Sequence, residues 1–498
     1  MPRAGDGWGT SMPSSRLAFA LADLGPAVPA ADDLAFASAS DQARLIAEGE
    51  VSASELTDLF LQRIARFDPA FGSYVEVVPE RALEQAREAD DRTASGEPLG
   101  PLHGVPVSIK DLNFLEGVRT TRGTRGFADH VARYTDANVA RLIDAGAIAL
   151  GKTNVSELGS IGHTDTELLG RCATPWDPER NAGGSSGGAG AALAAGLCAL
   201  AHGSDGAGSI RIPASVNGVV GLKPSRDRIS NAPMFGESAF GLSTSGALTR
   251  TVADAALALD IMAGYEPGDP GHAPPPSRPW SDEVGVDPGR LRIGVTRQTP
   301  FSPEGLHPSS DVALAKTVAL LEDLGHHVEE VELPVSDALP DLLLTLWSAG
   351  IAAQPFDPTT YEPVNQWLEE VGRTRSAGQY AAAQFQLQLM ARRLVVATRY
   401  LDVVLHPTLT SPSRPNGHFD GWQGKDIFDD QTAFVGLTPL ANLTGQPAIS
   451  LPVHHDAEVG PIGVQFVGRP WDEATLFRLG QQLEAASPWH AGRPPACI

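Results

Sequence analysis

One stretch constrains this chain more than any other: Asn181–Ser225, NAGGSSGGAGAALAAGLCALAHGSDGAGSIRIPASVNGVVGLKPS. It carries two glycine-packed serine sites, Gly183-Gly184-Ser185-Ser186-Gly187-Gly188 and Asp205-Gly206-Ala207-Gly208-Ser209. Glycine has no Cβ, so the backbone can approach a ligand closely and take dihedrals other residues avoid. Two such loops, each with serine, point to a site built from backbone N–H groups and hydroxyls. A flexible linker would be polar throughout. Here the segment between the loops, Gly187–Leu200, is small and apolar and reads as a tightly packed central helix. A further helix is expected from Ser209 onward.

Around this stretch, helical and strand patterns alternate from end to end. Ser52 and Glu55 form a capping-box pattern ahead of a helix over Ser54–Phe67. Pro79–Thr93 reads as a helix with proline in its first turn. Val105–Asp111 and Ala147–Leu150 read as short apolar strands, Asp136–Ala145 and Thr251–Met262 as helices. Pro267–Pro279 is the best candidate linker. Beyond it the alternation restarts, with strands over Leu291–Thr296, His327–Leu333, Leu401–His406, Ala448–Pro452 and Gly463–Gly468. Pro340–Arg399 is mostly helical. Residues 1–35 lack periodicity and read as an extended arm. No internal repeat occurs, and a single α/β layer architecture is favoured over separate modules.

Composition excludes some partners. With 37 basic and 60 acidic residues the net charge is −23, which disfavours nucleic acid and anionic membrane. No uninterrupted apolar stretch is long enough to span a bilayer. The three cysteines, Cys172, Cys198 and Cys497, lie far apart without metal-like spacing. A sparse, odd count fits a reducing compartment, and MPRAGDGWGTSMPSSRLAFALADLG makes a poor secretory core because Asp23 breaks its apolar patch. The expectation is a cytoplasmic protein, monomer or homodimer, with a small-molecule substrate and neither metal nor cofactor.

Three motifs compete for the chemistry. Gly146-Ala-Ile-Ala-Leu-Gly151-Lys152-Thr153 matches a P-loop formally. A P-loop needs its intervening residues to form a phosphate-cradling turn, whereas Ala-Ile-Ala-Leu is an apolar strand. Gly183-Gly-Ser-Ser-Gly187 fits a nucleophile elbow, which needs an apolar strand directly upstream. Thr174-Pro-Trp-Asp-Pro-Glu-Arg-Asn-Ala is turn chemistry instead, and His163, His202, His406 and His418 offer no distinguishing context as triad partners. The third option is a lysine base. Lysine is rare here, with five in all, and Lys110 closes the apolar strand Val105–Ile109. Burial disfavours a charged amine and lowers its pKa, so a neutral amine could accept a hydroxyl proton.

These residues carry a resemblance. The block from Gly183 through Ser209 to Ser225, with Pro101-Leu-His-Gly-Val-Pro-Val-Ser-Ile-Lys-Asp111, resembles the amidase signature family of serine hydrolases. So do Gly151-Lys-Thr-Asn154, Gly246-Ala-Leu-Thr-Arg-Thr-Val-Ala-Asp254, Asn442-Leu-Thr-Gly-Gln-Pro-Ala-Ile-Ser-Leu-Pro452 and Pro461-Ile-Gly-Val-Gln-Phe-Val-Gly468. The similarity spans about residues 38–490. It implies one large α/β/α domain over 36–498, with a central mixed, mostly parallel twisted sheet covered by helices. The catalytic core would span about 70–260 and a variable substrate-pocket region about 335–430.

The resemblance also implies a Ser-cisSer-Lys unit and an acyl-enzyme route to C–N cleavage. By motif, Ser209 is the nucleophile, Ser185 the bridging serine in a cis peptide and Lys110 the base. The oxyanion would rest on the N–H groups of Gly206, Ala207, Gly208 and Ser209, and Gly159 would line the acyl pocket. Ser186, Asp205 and Arg211 would brace the scaffold. Small apolar, aryl or oligomeric amides, carbamates, anilides and esters are accessible to this route. The family also contains one of the chains of an aminoacyl-tRNA amidotransferase. The acidic charge and the aromatic-bearing C-terminal half argue against that role. Substrate choice is expected to lie in Pro340–Asp430 and Asn231–Ser243.

Overall fold

The computed structural model describes residues 31–490 and 492–497. Strands from across that range meet in one eleven-stranded sheet. In chain order they are β1 Tyr74–Val77, β2 Pro106–Lys110, β3 Ile148–Thr153, β4 Leu200–Asp205, β5 Val220–Lys223 and β6 Thr244–Thr249. After these come β7 Arg292–Val295, β8 His327–Glu330, β9 Val403–Pro407, β10 Ala448–Asp456 and β11 Gly460–Gly468. Their order across the sheet is β1-β3-β2-β4-β6-β5-β10-β11-β9-β7-β8. Strands from both sides of Pro267–Pro279 share this sheet, so that segment is a connection within it rather than a break between modules.

The sheet is mixed, with a larger antiparallel share than expected. Pairing is parallel between β2 and β3, β2 and β4, β7 and β8, and β7 and β9. Every other pair is antiparallel. The cause is local. β6 inserts between β4 and β5, antiparallel to both. β10 and β11 are joined by a tight turn, which only antiparallel strands allow. Helices cover the sheet, and β2 and β3 are buried along their whole length. Strands buried on both faces show apolar runs rather than alternation, and Val107, Ile109, Ala149, Leu150, Leu200 and Ala201 belong to one core.

Three expectations change here. The helix expected over Gly187–Leu200 ends at Ala194. Gly196 follows with φ 66°, the left-handed conformation that terminates helices, and the chain then enters β4. The second serine loop therefore hangs from a strand end, and the helix after it starts at Arg211, not Ser209. The extended arm expected over 1–35 falls mainly outside the described residues. Its last part, within Ala31–Phe36, is helical, and the Arg63 guanidinium lies 5.1 Å from the Phe36 ring.

Candidate active site

Lys110 is the last residue of β2, fully buried. Its Nζ lies 2.8 Å from Ser185 Oγ, 3.0 Å from Ser204 Oγ and 3.2 Å from Ser204 O. Burial pushes the amine down to about 7, against the partial opposition of the Asp205 charge. A neutral amine has two N–H donors and one lone pair. The Ser204 carbonyl must accept one N–H. Of the two hydroxyls, one then accepts and the other donates to the lone pair, so all three contacts suit a neutral lysine.

Ser185 sits between loop and helix. The Gly184–Ser185 peptide is cis. Gly184 is required there because a Cβ would stand 2.8 Å from His163 N. The adjacent serine does different work: Ser186 Oγ donates to Ser204 O at 3.3 Å, and its N–H donates to Ser209 O at 3.3 Å. Ser186 thus ties the two serine loops together, while Ser185 faces the lysine.

The second loop is built around Asp205. Its carboxylate pairs with Arg211, Nη2 to Oδ1 at 2.8 Å and Nε to Oδ2 at 2.9 Å. It also accepts from Gly208 N, Ile210 N and Asn442 Nδ2. Burial works to raise this carboxyl, but Arg211, Asn442 and Lys223 outweigh it and hold the group well below the usual carboxylate range. Arg211 further donates to Thr438 O, Gln465 Oε1 and Asn442 Oδ1. The expected braces Asp205 and Arg211 therefore anchor the loop to residues far along the chain.

This anchoring corrects one site expectation. The Gly208 N–H points at Asp205 Oδ1, 2.8 Å away, so it is spent inside the scaffold and is not an oxyanion donor. The N–H groups of Gly206, Ala207 and Ser209 have no partner among the described residues. Ser209 is 8% exposed and opens onto the cleft.

The cleft has a volume of ≈ 550 Å³, within the usual range for ligand sites. Ser185, Ser204, Ser209, Gly206 and Gly159 line its floor. Gly159, at φ 70°, faces Ser185: a Cβ there would stand 3.3 Å from Ser185 Oγ. The walls come from Asn231–Ser243 and the helix Leu339–Ala352. A narrower apolar arm of ≈ 90 Å³ adjoins it, bounded by Ala207, Ile212, Leu343, Phe428 and Val435. Trp347 lines both spaces and donates its Nε1–H to Ser160 O at 2.9 Å. Several other aromatics of Pro340–Asp430 lie elsewhere. Tyr361, Phe356, Trp367 and Phe419 belong to an outer core cluster, and Phe385 is exposed.

The competing motifs resolve on geometry. Lys152 is buried in β3 and bonds Asp111 Oδ1, Asn113 O and Thr120 Oγ1. The segment before the first serine loop is a partly exposed hairpin strand, Asp177–Asn181, not a buried apolar one. None of His163, His202, His406 and His418 bonds a serine; His202 meets Asn138 and His406 meets Gln465. Among the described residues no cluster of His, Cys, Asp or Glu is placed to hold a metal, and no helix is long and apolar enough to cross a membrane.

Sequence reasoning missed Ser204, which takes two of the three Lys110 contacts, and the anchors Asn442, Gln465 and Thr438. No local signal marks Ser204, because no apolar–polar alternation in the sequence separates β4 from the helix before it.

Comparison with known proteins covers most of the chain. The amidase family matches residues 55–477. A putative amidase of Synechocystis sp. is 36% identical, covering 91% of this chain and 89% of that protein. One chain of the glutamyl-tRNA(Gln) amidotransferase of Chloroflexus aurantiacus is 34% identical, covering 90% and 96%. The structure of 6-aminohexanoate cyclic dimer hydrolase complexed with substrate superposes with a TM-score of 0.86 at 32% identity, over 93% of this chain and 100% of that one. The chain belongs to the amidase signature family and is an amide-cleaving hydrolase.

Proposed function

We propose that the chain hydrolyses carboxamides through Lys110, Ser185 and Ser209, by way of an acyl-enzyme. The observation that carries the reading is the buried Lys110 amine, 2.8 Å from Ser185 Oγ and lowered to about 7. Neutral Lys110 takes the Ser185 proton as Ser185 takes the Ser209 proton. Ser209 Oγ attacks the carbonyl carbon. The oxyanion rests on the N–H groups of Gly206, Ala207 and Ser209; removing one such donor costs about a hundredfold or more in rate. The relay then runs backwards. The lysine proton passes through Ser185 to the leaving nitrogen, the C–N bond breaks, and water hydrolyses the ester at Ser209. Amines leave poorly unless protonated, so this step matters more for amides than for esters.

The cleft suits small apolar, aryl or oligomeric amides, with carbamates, anilides and esters open to the same route. A fluorophosphonate should label the wild type and not Ser209→Ala; continued labelling at Ser186 would reject the assignment. A panel of p-nitroanilides, primary amides including glutamine, linear amide oligomers and carbamates assigns the substrate class.

A further inference from the structure

The two spaces around Ser209 differ in what they touch. Ser185 and Ser204 line only the wide cleft, while Ala207 and Ile212 line only the narrow arm. On the reading above, Ser185 delivers the proton to the leaving nitrogen. The leaving amine therefore lies in the wide cleft, and the acyl chain runs into the arm.

That arm is apolar except at one point. Its polar side chains are nearly all committed within the protein. Ser160 Oγ donates to Glu157 O, Thr432 Oγ1 to Phe428 O and Trp347 Nε1 to Ser160 O, and Asn442 is held by Asp205 and Arg211. Gln431 is different. It lies on the helix Gly424–Val435, is 4% exposed, and neither its Oε1 nor its Nε2 has a partner among the described residues. Its position is fixed relative to the nucleophile loop. A Cβ at Gly162 would stand 3.1 Å from both Gln431 Oε1 and Ile212 Cδ1, and one at Gly208 would stand 2.9 Å from the same Ile212 methyl. Gln431 thus sits one isoleucine side chain away from Gly208.

Buried polar groups are almost always hydrogen-bonded. A carboxamide with a free donor and a free acceptor side by side complements another carboxamide. We propose that Gln431 determines acyl specificity, pairing with a second carboxamide carried a few methylenes from the scissile carbonyl. The favoured substrates are then diamides or short amide oligomers rather than plain alkyl amides. This rests on the acyl-enzyme reading, which supplies the direction of the substrate.

The test compares two acyl p-nitroanilides of matched shape, 4-carbamoylbutanoyl and 5-methylhexanoyl. A site built to hydrogen-bond a polar group discriminates strongly against the analogue lacking it. The wild type should prefer the carbamoyl substrate in kcat/KM, and Gln431→Leu should cut that ratio by about tenfold, the scale of one or two neutral hydrogen bonds. A third arm, 4-(methylcarbamoyl)butanoyl p-nitroanilide, separates an oligomer's internal amide from a terminal primary amide. Turnover of both matched substrates with a ratio unchanged by Gln431→Leu overturns the inference and leaves the triad standing. No turnover of any anilide, with Ser209 unlabelled by fluorophosphonate, would instead reject the triad. Stability then tests Gln431 independently of activity. Leucine in place of an amide without partners should hold or raise Tm; a clear fall would mean that the fold itself satisfies the amide, and would overturn the inference.

Discussion

Replacing Lys110 by methionine should change stability in a pH-dependent way. The amine is lowered from 10.5 to about 7 by burial. At about 1.4 kcal/mol per pH unit, that shift costs the folded state roughly 5 kcal/mol wherever both states are protonated. The sign follows from proton counts. Between pH 7 and 10.5 the unfolded chain holds a proton that the folded chain has released, so wild-type stability climbs with pH across that window. Below it the full penalty applies, and above it none. Methionine carries no such dependence. Its absolute effect also includes the loss of the Nζ contacts to Ser185 and Ser204. The change with pH isolates the amine, since the other titrating groups cancel between variants. The stability of Lys110→Met relative to wild type should fall by about 3 kcal/mol between pH 6 and pH 9. Urea denaturation of both proteins at the two pH values measures it. A difference that stays constant with pH would refute the desolvated-amine account, and with it the neutral base.

Three further outcomes follow from the same geometry. Wild-type kcat/KM on an amide should rise about tenfold from pH 6 to pH 8 as Lys110 loses its proton near pH 7; a flat profile over that range would exclude lysine as the base. Gly159→Ala forces a Cβ to within 3.3 Å of Ser185 Oγ at a φ of 70°, so turnover should drop at least tenfold with folding intact by circular dichroism; full activity would show that the loop yields. Asp205→Asn leaves the buried Arg211 guanidinium without its counter-charge, which should lower stability by about 3–5 kcal/mol in thermal or urea unfolding.

The glycine and serine punctuation around Ser185 and Ser209 was legible because those residues answer to sterics and chemistry that act locally. The capping box at Ser52–Glu55 was legible for the same reason, and it forms. The strand β4 was not. Its first residues, Leu200 and Ala201, continue the apolar run of the preceding helix, and the strand, buried along nearly its whole length, has no apolar–polar alternation to mark where it begins. The spent Gly208 N–H was equally hidden, because it depends on Asp205 being oriented by Arg211 and Asn442, the latter 237 residues away. Pocket-lining aromatics could not be told from core ones: Trp347 and Tyr361 look alike in sequence, and only helix packing decides that Trp347 meets the cleft.

Asp205, Arg211, Asn442 and Gln465 form a knot beneath the Asp205–Ser209 loop, drawing on β4, the helix Pro439–Thr444 and β11. None of these residues comes from the span 335–435 that supplies Trp347, Phe428 and Gln431 to the cleft walls. On the proposed mechanism, the loop that carries Ser209 is thus braced from outside the span that supplies these three wall residues. Substitutions at Trp347, Phe428 and Gln431 would therefore reshape the wall without touching that brace.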